Sequence, residues 1–566
     1  MSAVARAPGP PPIDLGAAAD RLREGRAGDA WLGSWLPASG ADPEAFGEAT
    51  LALLGERRGA VFKSRPADGC DLYHDLVAAH LGRRRRALAG REGGAWVGVS
   101  YEALHARSNA LGAAWAEAGV KAGESVALVI APGLEFAVAW LTALRMGLVP
   151  SFVPPFGPGF VQKTLARVGA DRVATSGRRG VPAAVAAGAL PAAAGSRSGE
   201  PFGSFFYPAG APAARLVTPF GPDAPVAVDL PAEVLLGGAA RDAAFVYGLA
   251  PHDVLAAPGL DPLQHGPALL SAALAAGASY AELSDGDLEA EPELIRRLGV
   301  SVLGLGRRAR DALAGRGGPP EGVRAWFRSV SETIDAEAWD TFYRALPEAR
   351  RLNFGVLANA ASGGACLFSP PSRDAPGLRI WPAPGLAYRL EAPAAEGLEA
   401  LDDAGVFCVL RGGEIDGSFA RAVIGRVGEG YTYAGSLDLG PDAQRHPAAD
   451  VEDAARRVPG VRYAASFEAP GRRLNEAKTV LLAFVEDGGP APPPDPGHVA
   501  AAVVAELGER FAPDRVEIFA LRPRLQKGEL DRAWCRAQYL SGSLSRKARS
   551  RPFVLLGRLG YLFDPG

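Results

Sequence analysis

Cysteine is scarce in this chain. Cys70, Cys366, Cys408 and Cys535 stand far apart among 566 residues, with no Cys-x-x-Cys pair. That spacing argues against a disulfide framework and a cysteine zinc site, and reads as reduced thiols in a cytoplasmic protein. Histidine is nearly as rare, and its seven scattered copies give no metal-ligand spacing. Long apolar runs are missing too: nothing approaches the roughly 18 uninterrupted apolar residues of a membrane span. The first dozen residues are rich in Ala, Pro and Gly and lack the apolar core of a secretory signal. A formal net charge of -3 supplies no overall attraction to nucleic acid or anionic lipid. Gly-x-Ser-x-Gly, His-Glu-x-x-His and Walker patterns are all absent, which sets aside the hydrolase, zinc-peptidase and NTPase chemistries that they carry.

What is present describes a large globular protein. The chain is 48% hydrophobic and 22% charged, and its length allows several domains. Short apolar runs alternate with helical patterns. Val126-Ala127-Leu128-Val129-Ile130, then Pro132-Gly133 and a helical period from Leu134 to Met146, read as a buried parallel strand and its crossover helix. Glu293 to Leu298 followed by Val300 to Leu305 repeats the idea with the helix first. Alternation on this scale predicts α/β layers. Stretches rich in Gly, Ala and Pro at 177–214 and 485–498 read as loops. Arg83-Arg84-Arg85-Arg86 reads as a solvated helix end, not a nucleic-acid patch. Toward the C-terminus, a strand over Val480 to Val485, a helix from His498 to Phe511 and a strand Val516 to Phe519 form a compact α+β set.

Several blocks, in order, carry a resemblance. Val99-Ser100-Tyr101-Glu102-Ala103-Leu104, Gly119-Val120-Lys121-Ala122-Gly123-Glu124-Ser125-Val126-Ala127-Leu128, the segment Glu135 to Pro150 ending in Gly147-Leu148-Val149-Pro150, and Gly169-Ala170-Asp171 resemble the opening of adenylate-forming enzymes, the acyl-CoA ligases and nonribosomal adenylation domains. The resemblance runs with gaps to about residue 540. It implies a large α/β unit with a small α+β lid: first helices over 1–95, an AMP-binding-like large unit over 96–437, a lid over 438–540 and a basic and apolar tail over 541–566. It also implies ATP and magnesium as cofactors, Asp438 as the hinge, and an acyl group or a carrier protein as partner.

The nucleotide slots of that family are filled differently here. The phosphate loop of Ser, Thr, Gly and Lys falls at Leu216 to Pro225, around Gly221, where prolines remove amide donors; Tyr207 to Arg215 is the other candidate, and both lack the Ser/Thr pair and the lysine. The aromatic-Gly-x-Thr-Glu slot is Phe354-Gly355-Val356-Leu357-Ala358, so the carboxylate that would hold magnesium is Ala358. The ribose-binding aspartate falls at Val423 and its companion arginine at Ser436. The lysine that stabilises the charge developing at carboxylate and α-phosphate is Glu529; Lys527 is the nearest other cation. Pro262-Leu263-Gln264-His265-Gly266 resembles the element lining the carboxylate pocket, where His265 is either a ligand contact or a satisfied wall residue.

The sequence therefore predicts the shell of an adenylate-forming enzyme that has lost ATP-dependent adenylation, needs neither ATP nor magnesium, and binds an acyl group, a carrier protein or another protein. The other reading is an active acid-thiol ligase with atypical motifs. In the tail, Phe553 to Phe563 is apolar behind four basic residues and is expected to pack on the protein itself, ahead of a protein partner or a membrane surface.

Overall fold

The computed structural model describes residues 14–176, 181–193, 202–218, 226–330, 336–359, 362–374, 379–391, 404–411, 414–415, 422–436, 448–470, 477–485, 494–508, 511–526 and 529–549. It is α/β. Strand Ser125–Val129 is buried at all five positions and lies parallel to Val149–Phe152 and Arg172–Thr175, as a strand covered on both faces by helices must. Its crossover helix, Leu134–Arg145, starts after Gly133 and is buried at every position but Glu135. Helix Tyr101–Glu117 is capped by the Ser100 side chain, which accepts from the Ala103 N–H.

The largest sheet contains 14 strands among the described residues. Its central part is parallel: Arg86–Glu92, Ser279–Ala281, Val254–Ala256, Val302–Gly304, Ala325–Ser329 and Asn353–Asn359 lie side by side in that order. From Asn353–Asn359 it continues antiparallel through Gly364–Ser372, Arg379–Pro382, Gly430–Ser436, Ala422–Val427, Ala404–Arg411 and Tyr388–Glu391. Helices Tyr101–Glu117, Leu134–Arg145 and Pro262–Ala275 bury their apolar side chains in one core with residues of both parallel sheets. All four cysteines are buried and none forms a disulfide.

The described residues within 448–549 build a second, smaller unit around the three-stranded sheet Val461–Pro470, Ala477–Val485 and Arg515–Phe519. Alternation along its central strand separates two apolar faces. Leu481, Ala483 and Val485 meet helices Ala448–Arg456 and Pro496–Leu507, while Val480, Leu482 and Phe484 meet Cys535 and Leu544. Leu544 thus brings helix Ser543–Arg549, assigned to the tail by sequence, into this core; residues 550–566, with the apolar stretch, lie outside the described residues.

The four-arginine run is not a helix end. Gly82 and Arg84 take positive φ and turn the chain, and Arg86 begins a strand. Arg83 donates to the carbonyls of Arg58 and Gly59, and Arg86 to that of Leu298 at 2.5 Å, so two of the four close turns instead of facing solvent. Nor is 177–214 wholly loop: Pro212–Thr218 pairs antiparallel with Val226–Pro231, and helix Ala232–Arg241 follows directly. No helix among the described residues is long and apolar enough to cross a membrane.

Candidate ligand cleft

Open α/β sheets hold ligands outside the carboxyl ends of their parallel strands. Two ionisable residues stand on segments leaving that edge. His265 lies in the first turn of helix Pro262–Ala275, which follows strand Val254–Ala256, and its backbone N–H donates to the Asp261 carbonyl at 2.9 Å. The imidazole is 1% exposed, and neither ring nitrogen has a hydrogen-bond partner. Burial pushes its pKa down to about 4 against the opposing pull of Asp261, so the ring is neutral at physiological pH. A satisfied wall histidine would have a partner; this one leaves a donor and an acceptor for a ligand's polar group.

That isolation sets a test. Leaving a buried polar group unpaired costs about 1–3 kcal/mol. His265→Leu should therefore leave the melting temperature unchanged or raise it. A drop in melting temperature would show that the ring serves the core.

Glu282 was not foreseen. It follows strand Ser279–Ala281 directly, and although part of the residue reaches the surface, its carboxyl is pushed up to about 7 by desolvation; the Tyr280 side chain opposes the shift by hydrogen bonding and Asp287 adds to it. A carboxyl at that value exchanges protons near neutrality. One glutamate after an apolar strand forms no motif, so the sequence carries no signal for it.

The slots at 354–358, Val423 and Ser436 fall on two segments of the large sheet, with Gly364–Ser372 and Arg379–Pro382 between them. On strand Asn353–Asn359 the Phe354 ring stacks on Phe327 at 4.9 Å and meets Tyr247 at 6.1 Å, while the Gly355 N–H donates to Ser369 Oγ at 2.6 Å. Leu357 is buried with Val330, Cys366 and Leu367, and Ala358 is 5% exposed. The two positions that would present a hydroxyl and a carboxylate are thus buried and apolar. A hard divalent cation wants oxygen ligands, and neither side chain has one. Val423 and Ser436 come together at one end of the antiparallel pair Ala422–Val427 and Gly430–Ser436, where Ala422 faces Ser436. Glu529 begins the two-residue strand Glu529–Leu530, opposite Gln526 of Leu525–Gln526. Gly221, Asp438 and Lys527 lie outside the described residues. The alternative phosphate segment ends in Arg215, which pairs with Asp229 at 2.6 Å and donates to the Val168 carbonyl.

Residues 77–197 match the AMP-binding enzyme family. The chain shares its fold with adenylate-forming enzymes. The fold extends well beyond that match. An acyl-CoA synthetase of Brucella canis superposes with a TM-score of 0.52 at 17% identity, over 88% of this chain and 99% of that one. The artificially fused adenylation-PCP di-domain NpsA-ThdA from Klebsiella oxytoca gives 0.58 at 14% identity, over 79% and 93%. ATP-bound MatB from Rhodopseudomonas palustris gives 0.53 at 19% identity, over 83% and 99%. No curated protein sequence matches the chain. Within the smaller unit, the pair Glu452–Arg532 ties the start of helix Arg532–Leu540, just after the hairpin of Glu529, to helix Ala448–Arg456: Arg532 Nη2 donates to Glu452 Oε2 at 2.5 Å, Arg532 Nε to Oε1 at 2.8 Å, and Oε1 also accepts the Ser466 N–H at 2.9 Å.

Proposed function

We propose that this chain is a non-adenylating member of the superfamily that uses the shell as a binding protein for an acyl group, a carrier protein or another protein, without ATP or magnesium. The observation that carries this is the buried, apolar pair Leu357 and Ala358 where a nucleotide site would need oxygen. The sequence adds Val423, Ser436 and Glu529 in place of Asp, Arg and Lys, all acting against the same ligand. Each such group is worth roughly 2.7–4 kcal/mol where it stabilises developing charge, so the combined deficit reaches orders of magnitude in rate. His265 supplies the polar contact for the bound group.

A second reading is an ATP-dependent acid-thiol ligase with atypical motifs, favoured by the likeness of this fold to the ATP-bound protein of Rhodopseudomonas palustris. Calorimetric titration and carboxylate-dependent pyrophosphate exchange separate the two. The expected result is no Mg-ATP binding in the micromolar range and exchange at background. Micromolar affinity, or exchange that rises with added carboxylate, would establish the ligase instead.

A further inference from the structure

Glu282 belongs to none of the nucleotide slots. Its backbone N–H donates to the Ala89 carbonyl at 2.9 Å, so the ladder between Ser279–Ala281 and Arg86–Glu92 runs one residue past the strand and fixes the register there. Alternation then puts its side chain on the face of Tyr280, which shares a core with Leu88 and Leu255. Its neighbours on the adjoining strands are small. Gly90 stands on one side, where a Cβ would lie 2.9 Å from Leu134 Cγ, so the Leu134 side chain fills that place; Ala257 stands on the other. The carboxyl thus leaves a sheet face lined by Leu134, Ala257 and Tyr280, yet the residue is half-buried and water reaches it.

This carboxyl has no counter-charge. Among the described residues no Arg or Lys pairs with it: Tyr280 hydrogen-bonds the carboxyl, and the charge acting on it, Asp287, is of like sign. The arginines of neighbouring segments are committed elsewhere, Arg91 to Asp287, Arg308 to Glu289 and Arg307 to Asp514, each at 2.8 Å. The segment after strand Val254–Ala256 touches the one after Glu282, since a Cβ at Gly259 would stand 2.6 Å from Asp285 Oδ1, and it leads through Asp261 to the buried, unpartnered ring of His265. An organic anion at this edge would meet two carboxylates and an uncharged imidazole. A cation would meet a carboxyl that lacks its counter-charge. We infer that Glu282 anchors a binding site for a primary aliphatic amine, with the ammonium on the carboxylate and the chain along Leu134, Ala257 and Tyr280. Such a site rests on the cleft being a place of binding, and it stands whether or not the chain adenylates. Desolvation makes the lone carboxylate costly and holds its pKa up to about 7; an ammonium in contact supplies the missing charge through a strong charge-assisted bond.

The test is calorimetric titration of the full chain, without nucleotide, with three ligands of one length: hexylamine, hexanol and hexanoate. Hexylamine should bind tightest and hexanoate not at all. Glu282→Gln keeps the shape but removes the charge, and should weaken hexylamine about tenfold to a hundredfold, the worth of one hydrogen bond to a charged group. Hexanol should be unaffected by that change, and the melting temperature should stay level or rise. No binding of hexylamine, equal binding of hexylamine and hexanol, preference for hexanoate, or wild-type affinity in Glu282→Gln would each overturn the site. If Glu282→Gln does not fold, the order of the three ligands on the wild-type chain decides alone. None of these readouts depends on Mg-ATP binding or pyrophosphate exchange, so the amine site and the non-adenylating reading fail separately.

Discussion

Asp253→Ala is expected to lower the unfolding free energy by about 3–5 kcal/mol, the usual cost of breaking a buried ion pair from one side. Asp253 is 1% exposed and precedes strand Val254–Ala256. It accepts from Arg324 Nη2 at 3.0 Å, Arg324 Nε at 3.2 Å, Arg23 Nη2 at 3.4 Å, Ser301 Oγ at 2.7 Å and the Ala250 N–H at 2.8 Å. Ser301 in turn accepts the Val254 N–H at 3.0 Å, so one carboxylate pins two parallel strands and the N-terminal helix Leu15–Arg23. Alanine would take this acceptor from all of them, although Arg324 Nη2 keeps the Tyr247 and Gly248 carbonyls. Burial alone would raise the Asp253 pKa, but the Arg324 hydrogen bond and charge, with Ser301 and Ala250, outweigh it and hold the group below its ordinary value. A lowered folded pKa adds stability above the unfolded value of about 3.9, and that stability is lost as pH falls through the folded pKa. Urea unfolding of wild type and variant should show a wide gap at pH 7 that narrows in acid below about pH 4. Equal midpoints at pH 7 would mean that the network contributes nothing.

The second large effect is expected in the smaller unit. Glu452→Ala removes the buried acceptor of Arg532 and of the Ser466 N–H, leaving a strand amide and a guanidinium without their carboxylate. The expected cost is about 2–4 kcal/mol, at the lower side of buried-pair losses because Arg532 is half exposed. Hydrogen exchange should localise the damage to 448–549, with strands 254–256 and 302–304 unchanged. Uniform destabilisation across both sheets would show instead that the units unfold as one.

Much of the fold was legible because its signals are local. The apolar run at 126–130 and the helical period from Leu134 became strand Ser125–Val129 and helix Leu134–Arg145, since a run buried on both faces and a crossover helix leave different periods in the sequence. The arginine run misled because composition does not reveal a turn; the positive φ of Gly82 and Arg84 and the carbonyls of Arg58, Gly59 and Leu298 decide where those side chains go.

The sequence by itself determined the superfamily resemblance and the residue types in each nucleotide slot, because both are matters of order and identity along the chain. Only the tertiary structure decided what those residues face. Leu357 becomes a core residue through contact with Val330 and Cys366 across neighbouring strands. His265 is neutral because burial desolvates its ring, and neither ring nitrogen meets a hydrogen-bond partner. Asp450 caps a helix 291 residues away. Desolvation and long-range hydrogen bonds depend on what the folded chain brings near a group, and no pattern of neighbours in sequence encodes that.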